Sequence, residues 1–94
     1  MHQPLSCENL FSNNKFIPVV ILDDVDKAVP LARALLAGGI SIMEVTLRTP
    51  NALQIIEIIA DEVPEILVGA GTVLTESDYH TAVKHKAKFI SKDF

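Results

Sequence analysis

The residues best suited to chemistry are three polar side chains at alternate positions of one otherwise apolar stretch. Residues 41–50 begin as an apolar run and carry Glu44, Thr46 and Arg48 at every second position. Because side chains two residues apart share one face of a strand, all three are predicted to point the same way. Glu44 and Arg48 would lie about 13 Å apart along such a strand, which is too far for an ion pair and leaves room for a small substrate.

The same alternation also fits an ordinary solvated face of an antiparallel sheet. Helical segments on both sides of the stretch favour a parallel sheet instead, and parallel sheets are covered on both faces. Inside a barrel the Glu44 carboxylate would lose hydration, which suits it to acid–base catalysis. Arg48, at the C-terminal end of the strand, is suited to bind a carboxylate or a phosphate through paired hydrogen bonds.

Strand and helix patterns alternate along the chain. Strands are predicted over residues 16–22, 41–48, 65–73 and 87–91, and helices over 25–37, 51–63 and 75–85, with a short N-terminal helix within residues 1–15. Pro30 interrupts the first of these helices, so that either its regular part begins near Ala28 or its first turn is kinked. Thr49 and Thr75 are predicted to be the N-caps of the second and third helices. This order predicts a parallel sheet with right-handed crossovers. It leaves open a doubly wound open sheet or part of a (β/α)8 barrel, which takes roughly 250 residues when complete.

A second candidate site follows the third predicted strand, where Gly69-Ala70-Gly71-Thr72 is predicted to form a strand-to-helix turn. A dinucleotide site is disfavoured because Leu74 occupies the third glycine position of that fingerprint. The two glycines would let backbone N–H groups approach an anion beside the Thr72 hydroxyl. The alternative is a tight turn that binds no ligand.

Composition restricts the function classes. The 94 residues are 49% hydrophobic and 21% charged, as in a single globular domain. A net charge of -4 disfavours nucleic acid or an anionic membrane as the main partner. Cys7 is the single cysteine, no apolar run approaches ~20 residues, and the N-terminus does not resemble a signal peptide. The expected location is therefore the cytoplasm, and the histidines have no ligand spacing that would predict a metal.

Four segments together resemble one enzyme family, in order and in spacing. They are residues 18–21 (P-V-V-I), 37–40 (A-G-G-I), 44–49 (E-V-T-L-R-T) and 68–74 (V-G-A-G-T-V-L). They resemble the N-terminal half of the 2-keto-3-deoxy-6-phosphogluconate (KDPG) and 4-hydroxy-2-oxoglutarate (KHG) aldolases, and the resemblance covers about residues 16–90.

This resemblance implies a class I aldolase of the Entner–Doudoroff route. Such an enzyme is a homotrimeric (β/α)8 barrel that forms a Schiff base with a 2-keto acid, releases pyruvate and an aldehyde, and needs no metal or other cofactor. Glu44 is similar to the family's proton-shuttling base, while Arg48 and Thr72 resemble the groups that hold the pyruvate carboxylate. Residues 1–94 are then expected to be one truncated barrel domain, with the first four strands in residues 16–94.

The sequence also departs from the family. The Schiff-base lysine of the family lies on the sixth strand, and this chain ends at the fourth. Lys88 falls in the fourth-strand segment, and the family's S-P-G is here Ser91-Lys92-Asp93, so neither lysine inherits the role. The chain is therefore expected to be an aldolase by descent that is catalytically inactive alone, or a half-barrel that requires a partner chain.

Overall fold

A computed structural model describes residues 17–92 of the chain, and the N-terminal helix predicted within residues 1–15 lies outside this range. The described part alternates strands with helices, as the sequence predicts. The elements are β1 (Val19–Val20), α1 (Ala28–Ala37), β2 (Ile42–Thr46), α2 (Ala52–Glu62), β3 (Leu67–Val73), α3 (Glu76–Lys84) and β4 (Ile90–Lys92). None of these helices is long and apolar enough to cross a membrane.

The four strands form one parallel sheet in the order β1-β2-β3-β4. Each strand therefore pairs with the strand that precedes it in the chain. The register aligns Glu44 with Val19 on one side and with Gly69 on the other. Since residues in register share a face of a parallel sheet, these three positions lie on the same face.

The two faces of the sheet are packed differently. On the outer face, Met43, Val45, Val68 and Ala70 join one core with buried residues of all three helices. On the inner face, Ile42 and Phe89 form a separate cluster to which the described helices add nothing. Helices on one face of a sequential parallel sheet are the arrangement of a (β/α)8 barrel, whereas a doubly wound sheet carries helices on both faces. The structure is thus half of such a barrel, which confirms the predicted fold class.

Two prolines affect where the first strand and the first helix begin. Among the described residues 17–22 of the first predicted strand, Val19–Val20 alone form a strand, and Pro18, which precedes them, has no backbone N–H to donate. Helix α1 begins at Ala28 after a 3₁₀ turn at Val25–Lys27. Pro30 thus falls in the first turn of α1, where the backbone N–H groups need no helical partner.

The prediction that Thr49 caps the second helix is wrong. Asn51 occupies the N-cap position of α2, and its side chain makes no capping hydrogen bond. The Thr49 hydroxyl instead donates to the carbonyl oxygen of Leu22 at 2.8 Å, and the Asn51 amide donates to that of Asp23 at 2.9 Å. Both side chains therefore tie the segment after β1 to the start of α2.

The predicted cap of the third helix is confirmed. Thr75 precedes α3, and its hydroxyl oxygen accepts a hydrogen bond from the backbone N–H of Asp78 at 3.0 Å. This contact satisfies one of the N–H groups that the first turn of a helix leaves without a partner.

The inner face remains open at its β1 side. Val19 and Ile21 are 61% and 64% exposed. Their alternation with Val20 and Leu22, which pack against the outer core, places them on the inner face. In a closed barrel such positions are filled by side chains of the other strands. These two residues therefore mark a surface that further barrel strands would cover.

Candidate active site

Glu44 lies on the inner face of β2 and is half-buried. Its carboxylate leans across the neighbouring strand and lies over Gly71, toward the C-terminal end of the sheet. Its Oε1 atom accepts a hydrogen bond of 2.9 Å from the hydroxyl of Ser91 on β4. A carboxylate so held, at the end of the strands where barrels build their active sites, is placed for proton transfer.

The two glycines of the second candidate site lie inside β3 and do not form the predicted strand-to-helix turn. A Cβ atom added at Gly69 would overlap the ring of Phe89, and one added at Gly71 would overlap the Glu44 carboxylate. Their function is therefore to leave space on the inner face of β3. The predicted approach of their N–H groups to an anion is wrong, because these groups belong to the sheet.

The prediction that Arg48 ends the second strand is wrong, because β2 stops at Thr46 and Arg48 lies in the turn that follows. This turn brings Arg48 to Thr72 at the C-terminal end of the sheet. The Arg48 Nε–H donates to the Thr72 hydroxyl at 3.3 Å. Strand alternation alone would place Thr72 on the outer face with Val68 and Ala70. Its φ of 58° and the irregular pairing after Ala70 change this alternation, so that Val73 joins the outer core instead. A bulge of this kind re-aims a side chain, and a β-branched residue at positive φ is a strained conformation that functional sites often contain.

Thr46 lies between Glu44 and Arg48 in the alternating pattern. It is only 4% exposed, and its hydroxyl has no hydrogen-bond partner among residues 17–92. Leaving a buried hydroxyl unpaired costs about 1–3 kcal/mol. An apolar residue of the same shape would avoid this cost, so packing alone does not explain the threonine.

Two lysines near the end of the described chain, Lys88 just before β4 and Lys92 within it, lie on the side of the sheet away from the Glu44 carboxylate. Ile90 belongs to the outer core, so alternation places Lys88 and Lys92 on that outer side and Ser91 on the inner side. The Lys92 ammonium lies 5.2 Å from the centre of the Tyr79 ring of α3, a cation–π contact on the helix side. The structure therefore places neither amine beside Glu44.

Sequence reasoning assigned no role to Ser91, which contacts Glu44 directly. The signal that could have found it is the alternation of β4, because Ser91 shares the inner face with Phe89. Its distance from Glu44 along the chain, 47 residues, conceals the contact.

One group of charged side chains lies on the helix side of the sheet, between α2 and the end of α3. A groove of about 330 Å³ between α2 and α3 is lined by Gln54, Glu57, Ile58, Asp61, Glu62 and His85. The hydrogen bond and charge of Asp61 raise the pKa of the adjacent Lys86 amine, which lies 2.7 Å from that carboxylate. Within residues 17–92, no three His, Cys, Asp or Glu side chains are grouped so that they could hold a metal ion.

Comparison with known proteins gives concordant results. The family model for KDPG and KHG aldolase matches residues 7–92. A 2-dehydro-3-deoxy-phosphogluconate aldolase of Pseudoalteromonas atlantica is 54% identical over 69 residues, which are 73% of this chain and 32% of the relative. The KHG/KDPG aldolase of Escherichia coli is 43% identical over 84 residues, which are 89% of this chain and 39% of the relative. The chain thus spans 32% to 39% of the length of these curated relatives.

Solved structures show the same similarity. The crystal structure of a KDPG aldolase from Legionella pneumophila superimposes with a TM-score of 0.76 at 46% identity, covering 79% of this chain and 36% of the other. That enzyme holds pyruvate captured as a covalent carbinolamine intermediate. A KDPG aldolase of Zymomonas mobilis, crystallised with 3-phosphoglycerate, gives a TM-score of 0.74, also at 46% identity, covering 79% of this chain and 35% of the other.

Alanine substitutions at Gly69 and Gly71 are expected to differ in their effect on stability. Gly69→Ala is expected to lower the free energy of unfolding by about 2–3 kcal/mol, because the Phe89 ring is fully buried and cannot move aside. Gly71→Ala is expected to cost less than about 1 kcal/mol, because the half-buried Glu44 carboxylate can swing away. Urea unfolding of both variants tests this difference, and equal losses would contradict it.

The buried Thr46 hydroxyl is expected to lower the stability of the chain. Thr46→Val keeps the shape and removes the unpaired group, so we expect the free energy of unfolding to rise by about 1 kcal/mol. The matched control Thr46→Ser keeps the hydroxyl and loses a methyl group, which should cost about 0.8 kcal/mol. Loss of stability in the valine variant would show that the hydroxyl has a partner in solution.

Proposed function

The chain belongs to the KDPG and KHG aldolase family, and we propose that it supplies the proton-transfer and carboxylate-binding half of a class I aldolase site. The substrate would be 2-keto-3-deoxy-6-phosphogluconate or 4-hydroxy-2-oxoglutarate, cleaved to pyruvate and an aldehyde. The observation that carries this proposal is the placement of the Glu44 carboxylate over Gly71, at the same end of the sheet as the Arg48–Thr72 pair. For the complete barrel we also propose the homotrimer that the family resemblance implies.

The chemistry begins with an amine. An amine adds to the C2 carbonyl of the 2-keto acid to form a carbinolamine, as captured in the Legionella enzyme, and loss of water gives a protonated imine. Removal of the proton from the C4 hydroxyl then breaks the C3–C4 bond. The electron pair of that bond moves into the imine, which leaves an enamine of pyruvate and releases the aldehyde.

Glu44 is the group that we propose for both proton steps. As a carboxylate it accepts the C4 hydroxyl proton, and as a carboxylic acid it returns a proton to C3 of the enamine. Hydrolysis of the resulting imine releases pyruvate and restores the amine. The same side chain can serve both steps because it lies on the inner face, at the end of the sheet where Arg48 would hold the substrate.

Arg48 and Thr72 are proposed to hold the carboxylate that the substrate and pyruvate share. The guanidinium offers paired N–H donors that match a carboxylate. Its hydrogen bond to the strained Thr72 fixes the direction of these donors. Binding at this position would orient the rest of the 2-keto acid along the inner face, toward Glu44.

We infer that the amine comes from residues other than those described. Among the lysines of residues 17–92, Lys27 and Lys84 each end a helical segment, and Lys86 pairs with Asp61 on the surface. Strand alternation puts Lys88 and Lys92 on the outer side of the sheet. The exposed Val19 and Ile21 favour a site completed by further barrel strands, whether they belong to the same polypeptide or to a partner chain. The 94-residue polypeptide alone is therefore proposed to be inactive.

Pyruvate binding tests the carboxylate site. Arg48→Ala is expected to weaken binding of pyruvate at least tenfold, because a charged hydrogen bond contributes about 1.5–3 kcal/mol. An NMR titration of the backbone amides of the full chain measures this effect. Arg33→Ala is the matched control, because it removes the same charge from the outer surface, where Arg33 donates to the Glu62 carbonyl. Equal weakening by both changes would contradict a specific site.

Borohydride trapping tests the source of the amine. Incubation of the 94-residue chain with pyruvate and borohydride, followed by mass spectrometry, is expected to give no stoichiometric adduct. The Legionella enzyme, treated in parallel, should be labelled. A single lysine of this chain carrying the adduct would refute the proposed inactivity. If the C-terminal part of the Escherichia coli relative is added as a separate polypeptide, any adduct is expected on that polypeptide.

A further inference from the structure

We propose that Ser91 is a positioning residue for Glu44, which it holds in the orientation that proton transfer requires. This inference rests on the proposed function. Ser91 is half-buried on β4, and its Oγ atom donates to Glu44 Oε1 at 2.9 Å. The contact links β4 to β2 across β3, so it joins two strands that are not neighbours in the sheet.

Gly71 makes this contact possible. The strand between Ser91 and Glu44 carries no side chain at this level, and the Glu44 carboxylate occupies the space that a Cβ atom would fill. Oε2 lies against Gly71 while Oε1 is bonded to Ser91. The carboxylate is thus fixed by a hydrogen bond at one oxygen and by packing at the other. Without the hydroxyl, the side chain could rotate into the open inner face.

A hydroxyl suits this role for a chemical reason. Glu44 must alternate between carboxylate and carboxylic acid during the proposed cycle, and these forms differ in what they donate and accept. A serine hydroxyl can donate to the carboxylate and can also accept from the acid. A lysine or an arginine at this position could only donate, and its charge would favour the carboxylate alone. Ser91 can therefore keep its contact with Glu44 through both proton steps.

A purely structural role of Ser91 would have a different effect when the hydroxyl is removed. If the hydrogen bond only helped to attach β4 to the sheet, its removal would lower stability and leave the Glu44 carboxylate in place. The backbone of β4 is already anchored beside β3, with the Ala70 N–H bonded to the Phe89 carbonyl and the Lys88 N–H bonded to the Val68 carbonyl. Loss of one half-buried hydroxyl should therefore change the carboxylate more than the fold.

The test uses the full chain with ¹³C-labelled glutamate and follows the carboxyl carbon of Glu44 by NMR while pyruvate is added. In the wild type and in Ser91→Thr, which keeps a hydroxyl, pyruvate is expected to shift this resonance. In Ser91→Ala the resonance should move and broaden before pyruvate is added, and pyruvate should shift it less than half as far. Ser77→Ala, which removes an exposed hydroxyl of α3, is the control and should behave as the wild type.

Two outcomes separate failure of this inference from failure of the proposed function. If pyruvate shifts the amides of Arg48 and Thr72 in every variant, and the Glu44 signal of Ser91→Ala matches the wild type, Ser91 has no positioning role. If pyruvate shifts no resonance of the wild type, the proposed function fails, whatever Ser91 does to the free carboxylate. A Ser91→Thr chain that behaves like Ser91→Ala would also overturn the inference.

Discussion

The site depends on the absence of side chains along the inner face of one strand. Gly69 and Gly71 leave two adjacent spaces on β3, which the Phe89 ring and the Glu44 carboxylate fill from the strands on either side. The space at Gly69 holds an apolar ring, and the space at Gly71, nearer the C-terminal end of the strand, holds a charged carboxylate. Any larger residue would have to displace one of these groups, so the two glycines couple packing of the interior to placement of the proposed base.

Much of this arrangement could be predicted from short-range pattern. The alternation of Glu44 and Thr46 with apolar residues follows from the two-residue period of a strand, and the order of strands and helices follows from local periodicity. Arg48 falls outside this pattern, because β2 ends at Thr46. The family resemblance assigned Thr72 and Arg48 a common role in carboxylate binding, and in the structure these two side chains are joined by a hydrogen bond.

The rest depends on contacts that local pattern does not encode. Periodicity is the same for an open sheet and a barrel. The family resemblance implied the barrel, and the helices that pack on one face of the sheet confirm it. The glycines were predicted as a turn because glycine is common in turns, although here the inner-face partners Phe89 and Glu44 require it. Thr72 has a positive φ where the β3–β4 pairing is irregular, and Ser91 contacts Glu44 across 47 residues of chain, so neither feature follows from local pattern.

The sequential strand order has a consequence for how the chain acquires its structure during synthesis. Each new strand pairs with the one made just before it, separated by a single helix, so loop closure never has to join distant parts of the described chain. Local connections of this kind favour rapid folding, and the sheet can grow strand by strand as the polypeptide leaves the ribosome. The hydrogen bond between Ser91 and Glu44 would then form last, once the fourth strand has emerged.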